Sequence, residues 1–268
     1  MGTGLKDRFN RMAGIAVDIW MAAFPRRRPD PAALERCRIV AHRGAHDERT
    51  LVRENTMDAF ERARANGVWG IEADIRWTAD LVPVISHDPD TQRIFDRPLT
   101  IGEVTFEALR AAVPEVPSLA EVIARFGRET HLMLELKAGT FPNLQRQRRI
   151  LRERLAGLDP GGDYHFIALD PNLFETFDIR PRECCLTIAL DNMAAISEAT
   201  LNSPYGGLTG HYFLLDDAIK ERHELAGQKV GTGFIASRNG LYREINRNVE
   251  WIFSDDAVAL QRIVDTLS

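Results

Sequence analysis

Gly70-Ile71-Glu72-Ala73-Asp74-Ile75 sets two carboxylates into an otherwise apolar or small hexapeptide. In an extended strand the side chains alternate, so Glu72 and Asp74 share one face. Two acids side by side on an apolar strand repel each other and lose hydration. Such an arrangement persists most readily with a cation between them. Upstream, Ile39-Val40-Ala41-His42-Arg43-Gly44 is a short apolar run that ends in an imidazole and a guanidinium. Downstream, Val82-Pro83-Val84-Ile85-Ser86-His87-Asp88 is another, ending in a histidine. Twelve residues separate Asp74 from His87, too few for a helical crossover. The segment therefore reads as a β-hairpin turning at Thr78-Ala79-Asp80-Leu81, whose return arm brings His87 back beside Glu72.

Outward from this centre, strand-like and helix-like segments alternate. Strands read at 38–44, 69–75, 131–137, 164–169, 184–190, 207–213, 229–235 and 250–254. A helix begins at Glu54-Asn55-Thr56, capped by Asn55 or Thr56, and ends near Gly67. Further helical segments read at 105–112, 118–126, 143–156, 172–179, 192–202, 216–226, 239–248 and 256–267. Eight such βα units point to a closed (β/α)8 TIM barrel with a β-hairpin excursion after strand 2 and an N-terminal helix. No dinucleotide glycine fingerprint follows the first strand and no phosphate-binding P-loop occurs. Gly231 and Gly233 read as the mark of a tight barrel strand.

A chain of 268 residues, 44% hydrophobic and 27% charged, suits one large domain over 37–268 preceded by a helix and basic linker over 1–36. The formal net charge of −5 argues against a nucleic-acid partner, which calls for a basic surface. Cys37, Cys184 and Cys185 show no metal-ligand spacing, and the adjacent pair is poorly placed to bridge, so three reduced thiols are expected. The apolar stretch 12–24 is too short to span a bilayer and is interrupted by Asp18, which also spoils it as a signal peptide. At helical spacing Leu5, Phe9, Met12, Ala16, Ile19, Trp20 and Ala23 share a face, while Lys6, Asp7, Asn10, Arg11 and Asp18 lie mainly elsewhere. The plainer expectation is a helix packed under the domain. The sharper one is peripheral membrane contact through residues 5–28, helped by Arg26, Arg27 and Arg28. A cytoplasmic protein, with or without membrane association, fits both; the sequence is silent on oligomeric state.

In such barrels the strand ends at one rim carry the chemistry. Here His42 and Arg43 end the first strand, Glu72 and Asp74 the second, Glu135 and Lys137 the third. Three carboxylates plus water make a hard-oxygen site for Mg²⁺, Ca²⁺ or Mn²⁺. Arg43 and Lys137 beside it are suited to an anionic group, most naturally phosphate. Two histidines can take a proton from a nucleophile and return one to a leaving alkoxide. Singly, each residue has a plain structural explanation: a satisfied histidine, a solvated acid, a Glu135–Lys137 ion pair. Together, at matching strand ends, they describe phosphodiester cleavage.

His42-Arg43-Gly44, Glu54-Asn55-Thr56, Glu72-Ala73-Asp74, His87-Asp88 and Glu135-Leu136-Lys137, in this order and spacing, resemble the glycerophosphodiester phosphodiesterase family. The resemblance extends to Pro117-Ser118-Leu119-Ala120-Glu121-Val122 and to Ile252-Phe253-Ser254-Asp255 near the end. It implies a TIM-barrel enzyme that hydrolyses a small-molecule glycerophosphodiester to glycerol 3-phosphate and an alcohol with a divalent cation, Mg²⁺ or Ca²⁺. By matching positions, His42 is the proton acceptor and His87 the donor; Glu72, Asp74 and Glu135 bind metal; Arg43 and Lys137 contact phosphate; Glu54 and Asn55 support the site. Two alternatives remain beside it: a lysophospholipase D-like activity on a lipid at a membrane, and a non-catalytic barrel that binds a phosphorylated ligand. The chain departs from the family where Gly231-Thr232-Gly233-Phe234 replaces the usual Trp-Thr-x-Asn, leaving Phe234 to line the pocket in part. The segment between His87 and Pro117 is short for the family, which leaves the pocket more open.

Overall fold

The computed structural model describes residues 18–267. Its strands are β1 (Arg38–Ala41), β2 (Gly70–Trp77), β3 (Pro83–Ile85), β4 (His131–Leu136), β5 (Tyr164–Ala168), β6 (Cys185–Ala189), β7 (Gly207–His211), β8 (Lys229–Gly233) and β9 (Trp251–Ser254). Eight of them form a closed parallel barrel in the order β1-β2-β4-β5-β6-β7-β8-β9, with β9 returning to β1. β3 stands outside the cylinder, antiparallel to β2, with Ile75 opposite Ile85 and Trp77 opposite Pro83. The hairpin and the eightfold barrel are those expected from the alternation.

Period-two alternation on β2 sorts the side chains into two layers. Ile71, Ala73 and Ile75 join the apolar layer between sheet and helices, with Phe60 of α2 (Met57–Ala65) and Val122 and Phe126 of the helix Leu119–Phe126. Val40, Met133, Ile167, Leu186, Trp251 and Phe253 fill the bore as a separate cluster. Glu72 and Asp74 therefore point inward, above that plug. Gly231 belongs to the same packing: a Cβ there would lie 3.1 Å from both Phe253 and Thr209 and 3.2 Å from Trp251. The bore is full at β8 without a side chain.

Helix starts follow local chemistry. Thr56, not Asn55, caps α2 by accepting from the Ala59 amide, and Ser118 and Glu121 form a reciprocal capping box. α1 (Pro31–Arg36) precedes β1, with Asp30 as its cap and Pro31 in its first turn. Several short elements escape the sequence reading: α1 itself, read there as linker, a short helix at Gln92–Phe95, and 3-10 turns at Glu48–Thr50, Ile101–Glu103 and Arg182–Cys184. All three cysteines are free. Among the described residues no helix is long and apolar enough to cross a membrane.

Residues 1–17, which carry most of the expected amphipathic face, lie outside the described residues. The helical stretch 18–22 turns its acid inward. Asp18 is buried and accepts from Ser237 Oγ at 3.0 Å, the Ala236 amide at 3.3 Å and Tyr212 OH at 3.4 Å.

Candidate active site

The acid trio is a product of strand register. Asp74 and Glu135 are paired neighbours on β2 and β4, and Glu72 lies one inward position deeper, opposite Met133. Carboxylate oxygens of Glu72, Asp74 and Glu135 all fall within 4.8 Å of one another, and all three residues are buried. Burial, reinforced by Asp74 and Glu135, pushes the Glu72 carboxyl well above its ordinary value. Burial works the same way on Asp74, but Lys137, Arg43 and His87 outweigh it and hold that carboxyl well below the usual range.

Each cation reaches the trio by a distinct backbone device. Arg43 follows β1 in the left-handed region, φ 55°, and Gly44 continues it at φ 78°. Only glycine fits there, because a Cβ would come within 2.8 Å of Ala59 and Phe60. This turn aims the Arg43 amide at Glu72 Oε2 (2.8 Å) and its guanidinium at Glu54 Oε1 (2.9 Å), with Nε 3.6 Å from Asp74. Asn55, at φ 56°, donates from Nδ2 to Asp74 Oδ2 at 2.7 Å. Lys137 Nζ donates to Glu135 at 2.7 Å and lies 3.2 Å from Asp74. The ion pair and the site are thus one arrangement. Burial disfavours the ammonium, but Glu135 and Asp74 more than offset it, and Lys137 stays charged.

The histidines flank this centre. His42 Nε2 is 3.9 Å from Glu72 Oε2, and its Nδ1 is 2.7 Å from Asp255, which follows β9. His87 lies on the hairpin arm: the Ser86 amide donates to the Asp74 carbonyl at 2.9 Å, and Arg76 clamps the His87 carbonyl at 2.8 Å. The Ser86–Asp74 bond carries the hairpin past the last β2–β3 pair, Ile75 with Ile85, and brings the His87 backbone beside the Glu72–Asp74 segment. The backbone arm thus returns where the hairpin spacing predicts. His87 Nδ1 is 2.9 Å from Asp88.

All nine residues singled out in the sequence therefore converge on one rim. Four more belong with them. Asp255 is shared by His42 and by His46, whose Nε2 is 3.4 Å away. Arg93 bridges Asp88 at 2.5 Å to Glu54 at 2.6 Å, tying the surroundings of the two histidines into one chain of charges. Asp88 was visible beside His87; Asp255 stood in the similar C-terminal stretch; Arg93 and His46 carried no signal of their own.

The donor set fits a divalent metal. Three carboxylates and two cations leave the inner site one negative charge, so a divalent ion and a singly charged diester bring it to neutrality. Glu72 Oε1 is buried without a hydrogen-bond partner, and Asp74 Oδ1 and Arg43 Nε, also without one, are met only by the ion pairs with Lys137 at 3.2 Å and with Asp74 Oδ2 at 3.6 Å.

A (β/α)8 barrel with a hard-cation acid trio, flanking imidazoles and phosphate-sized positive charge at its C-terminal rim defines the class. The chain belongs to the glycerophosphoryl diester phosphodiesterase family, whose model matches residues 42–205. It is similar to human glycerophosphodiester phosphodiesterase 1, 34% identical over 104 residues, which is 34% of this chain but 30% of that protein. The chain thus matches less than a third of such curated mammalian relatives. Against a glycerophosphodiester phosphodiesterase of Caldanaerobacter subterraneus it is 25% identical over 247 residues, covering 84% of this chain and 97% of the other. The fold is shared with a phosphodiesterase of Oleispira antarctica, solved with the product sn-glycerol-3-phosphate, at TM-score 0.72 and 22% identity, covering 85% and 96% of the two chains.

Proposed function

We propose that the protein hydrolyses a glycerophosphodiester to glycerol 3-phosphate and an alcohol, with Mg²⁺ or Ca²⁺ held by Glu72, Asp74 and Glu135. The observation that carries the reading is the convergence of that partly unserved trio with two half-buried cations and two carboxylate-paired histidines. The metal, when bound, supplies Lewis-acid stabilisation of charge on the phosphate oxygens. Arg43 and Lys137 orient the phosphate and share that charge. An Nδ1–H donated to Asp255 leaves His42 Nε2 with its lone pair, ready to take the proton of the attacking hydroxyl, whether water or the neighbouring glycerol hydroxyl. His87, its Nδ1 held 2.9 Å from Asp88, is the group that gives a proton to the departing alcohol oxygen. Glu54 and Asn55 hold Arg43 and Asp74 in place. Family membership and the product seen in the Oleispira antarctica relative support the same reaction.

Glycerol 3-phosphate release from glycerophosphocholine and glycerophosphoethanolamine, with Mg²⁺, Ca²⁺ or chelator, tests it. Metal-dependent release is expected, and silence with both ions overturns it. Lysophospholipase D-like cleavage is the second reading, favoured by Phe234 standing half exposed at the mouth, stacked on His211 at 4.9 Å. Choline release from lysophosphatidylcholine that leaves a phosphorylated lipid would mark it.

A further inference from the structure

Nine large apolar side chains are exposed among the described residues, and only Leu225 sits at the end of the barrel away from the site. The others lie on connections at the C-terminal rim or on the stretch docked beside it. Phe213 and Leu214 follow β7, and Phe234 follows β8, the strand next to Asp255 around the rim. Trp20 makes edge contacts with Phe213 at 6.3 Å and with Phe24 at 4.8 Å, joining rim and N-terminal stretch into one surface.

The orientation of that stretch is the second observation. An amphipathic segment that merely packs on a barrel turns its apolar face inward. Here Asp18 is the inward residue, satisfied by Ser237, Ala236 and Tyr212, and Met21 is buried beside it. Ile19 and Trp20 point out, 67% and 54% exposed. The Asn239 amide holds the Ala22 carbonyl at 2.7 Å and Asn246 holds that of Arg27 at 2.8 Å, so the outward pose is pinned along its length. Arg26, Arg27 and Arg28 follow, all exposed, and Arg28 is already engaged, donating to the Leu267 carbonyl at 3.2 Å. The nearest acids past Phe213 are already engaged: Asp216 caps its helix and Asp217 pairs with Arg247 at 2.6 Å.

We propose that this rim and the flank below it dock on an anionic phospholipid surface, with Trp20, Phe24 and Phe213 entering the headgroup–acyl boundary and Arg26 and Arg27, on the chain descending from the rim, meeting lipid phosphates. Aromatic side chains exposed beside clustered arginine suit that boundary, where one end of the contact is apolar and the other charged. The contact sets the mouth of the site beside the bilayer, and it stands independently of the chemistry inside.

The full chain is tested by co-sedimentation with phosphatidylcholine vesicles with and without phosphatidylglycerol. Wild type is expected to pellet with the mixed vesicles and remain in solution with pure phosphatidylcholine. Tryptophan emission is expected to shift to the blue on binding, a shift removed by Trp20→Phe, since Trp77 and Trp251 are buried and Trp69 is stacked on His131 at the opposite end of the barrel. Trp20→Asp with Phe213→Asp should weaken binding on the order of tenfold or more, and Arg26→Glu with Arg27→Glu should abolish the lipid selectivity. Glycerophosphocholine turnover should stay at the wild-type rate in both variants. No pelleting by wild type, or pelleting unchanged by the aromatic pair, overturns the proposal. So does a wild-type dimer that the Phe213 substitution dissolves, which would assign the patch to a second copy.

Discussion

Both ends of the barrel bury ionisable side chains, and they treat them in opposite ways. At the N-terminal end His131 donates from Nδ1 to Gly162 O (2.8 Å) and accepts at Nε2 from His165 Nδ1 (2.8 Å), stacked on Trp69 at 4.3 Å. Burial drives His131 down to about 4 and His165 to about 3, so both are neutral near pH 7. Both nitrogens of His131 have partners. At the C-terminal end Asp74, Arg43 and Lys137 are kept charged by one another, while Glu72 is pushed toward its neutral form and leaves Oε1 buried without a hydrogen-bond partner. Histidine or carboxylate in a barrel interior is thus no signal by itself. The polar groups that face inward without being closed off are the ones that await something.

The comparison breaks most readily at the histidines. His42→Ala and His87→Ala should each lower glycerol 3-phosphate release on the order of a hundredfold or more with unchanged thermal unfolding; near-full turnover removes that residue from proton transfer. Asn55→Ala, which deletes the outer partner of Asp74, should weaken metal binding about 10–100-fold by calorimetry. At the other end His165→Leu should leave turnover intact and cost about 1–3 kcal/mol in urea unfolding, because His131 loses its partner; a lost activity there would erase the contrast between the ends.

Acid sharpens it further. The unfolded histidines bind protons near pH 6.5 while the folded pair binds only near about 4 and about 3, so the unfolded state holds more protons in between. Stability is therefore full above pH 6.5 and falls as the pH drops toward 4. Replacing both histidines by glutamine should flatten the urea midpoint over that window; an equally steep decline in the double variant would place the acid sensitivity elsewhere.

Much of this was legible because the decisive relations are local. Alternation in Glu72-Ala73-Asp74 faced two acids inward, and the short span to His87 forced a hairpin. Asp255 and His46 meet only because β9 closes on β1, more than two hundred residues apart, and no local pattern encodes closure partners. Arg93 sits on a four-residue helix whose role depends on Glu54 across the rim. Asp18 ran against its own helical pattern because Ser237 and Tyr212 supply distant partners that outrank amphipathicity.

The hairpin has a mechanical consequence. His87 travels on the same ribbon as Asp74, and that ribbon is laced to β4 by six paired rungs from Gly70 to Ile75. His42 hangs instead from β1, whose seam with β2 has two rungs, Val40 with Gly70 and Ala41 with Ile71. The two proton-carrying arms therefore belong to different staves of the cylinder, joined by one of its lightest stitches. A ligand gripped by both is a hoop around that joint, and slowed amide exchange at Ala41 and Ile71 is where the tightening would be felt.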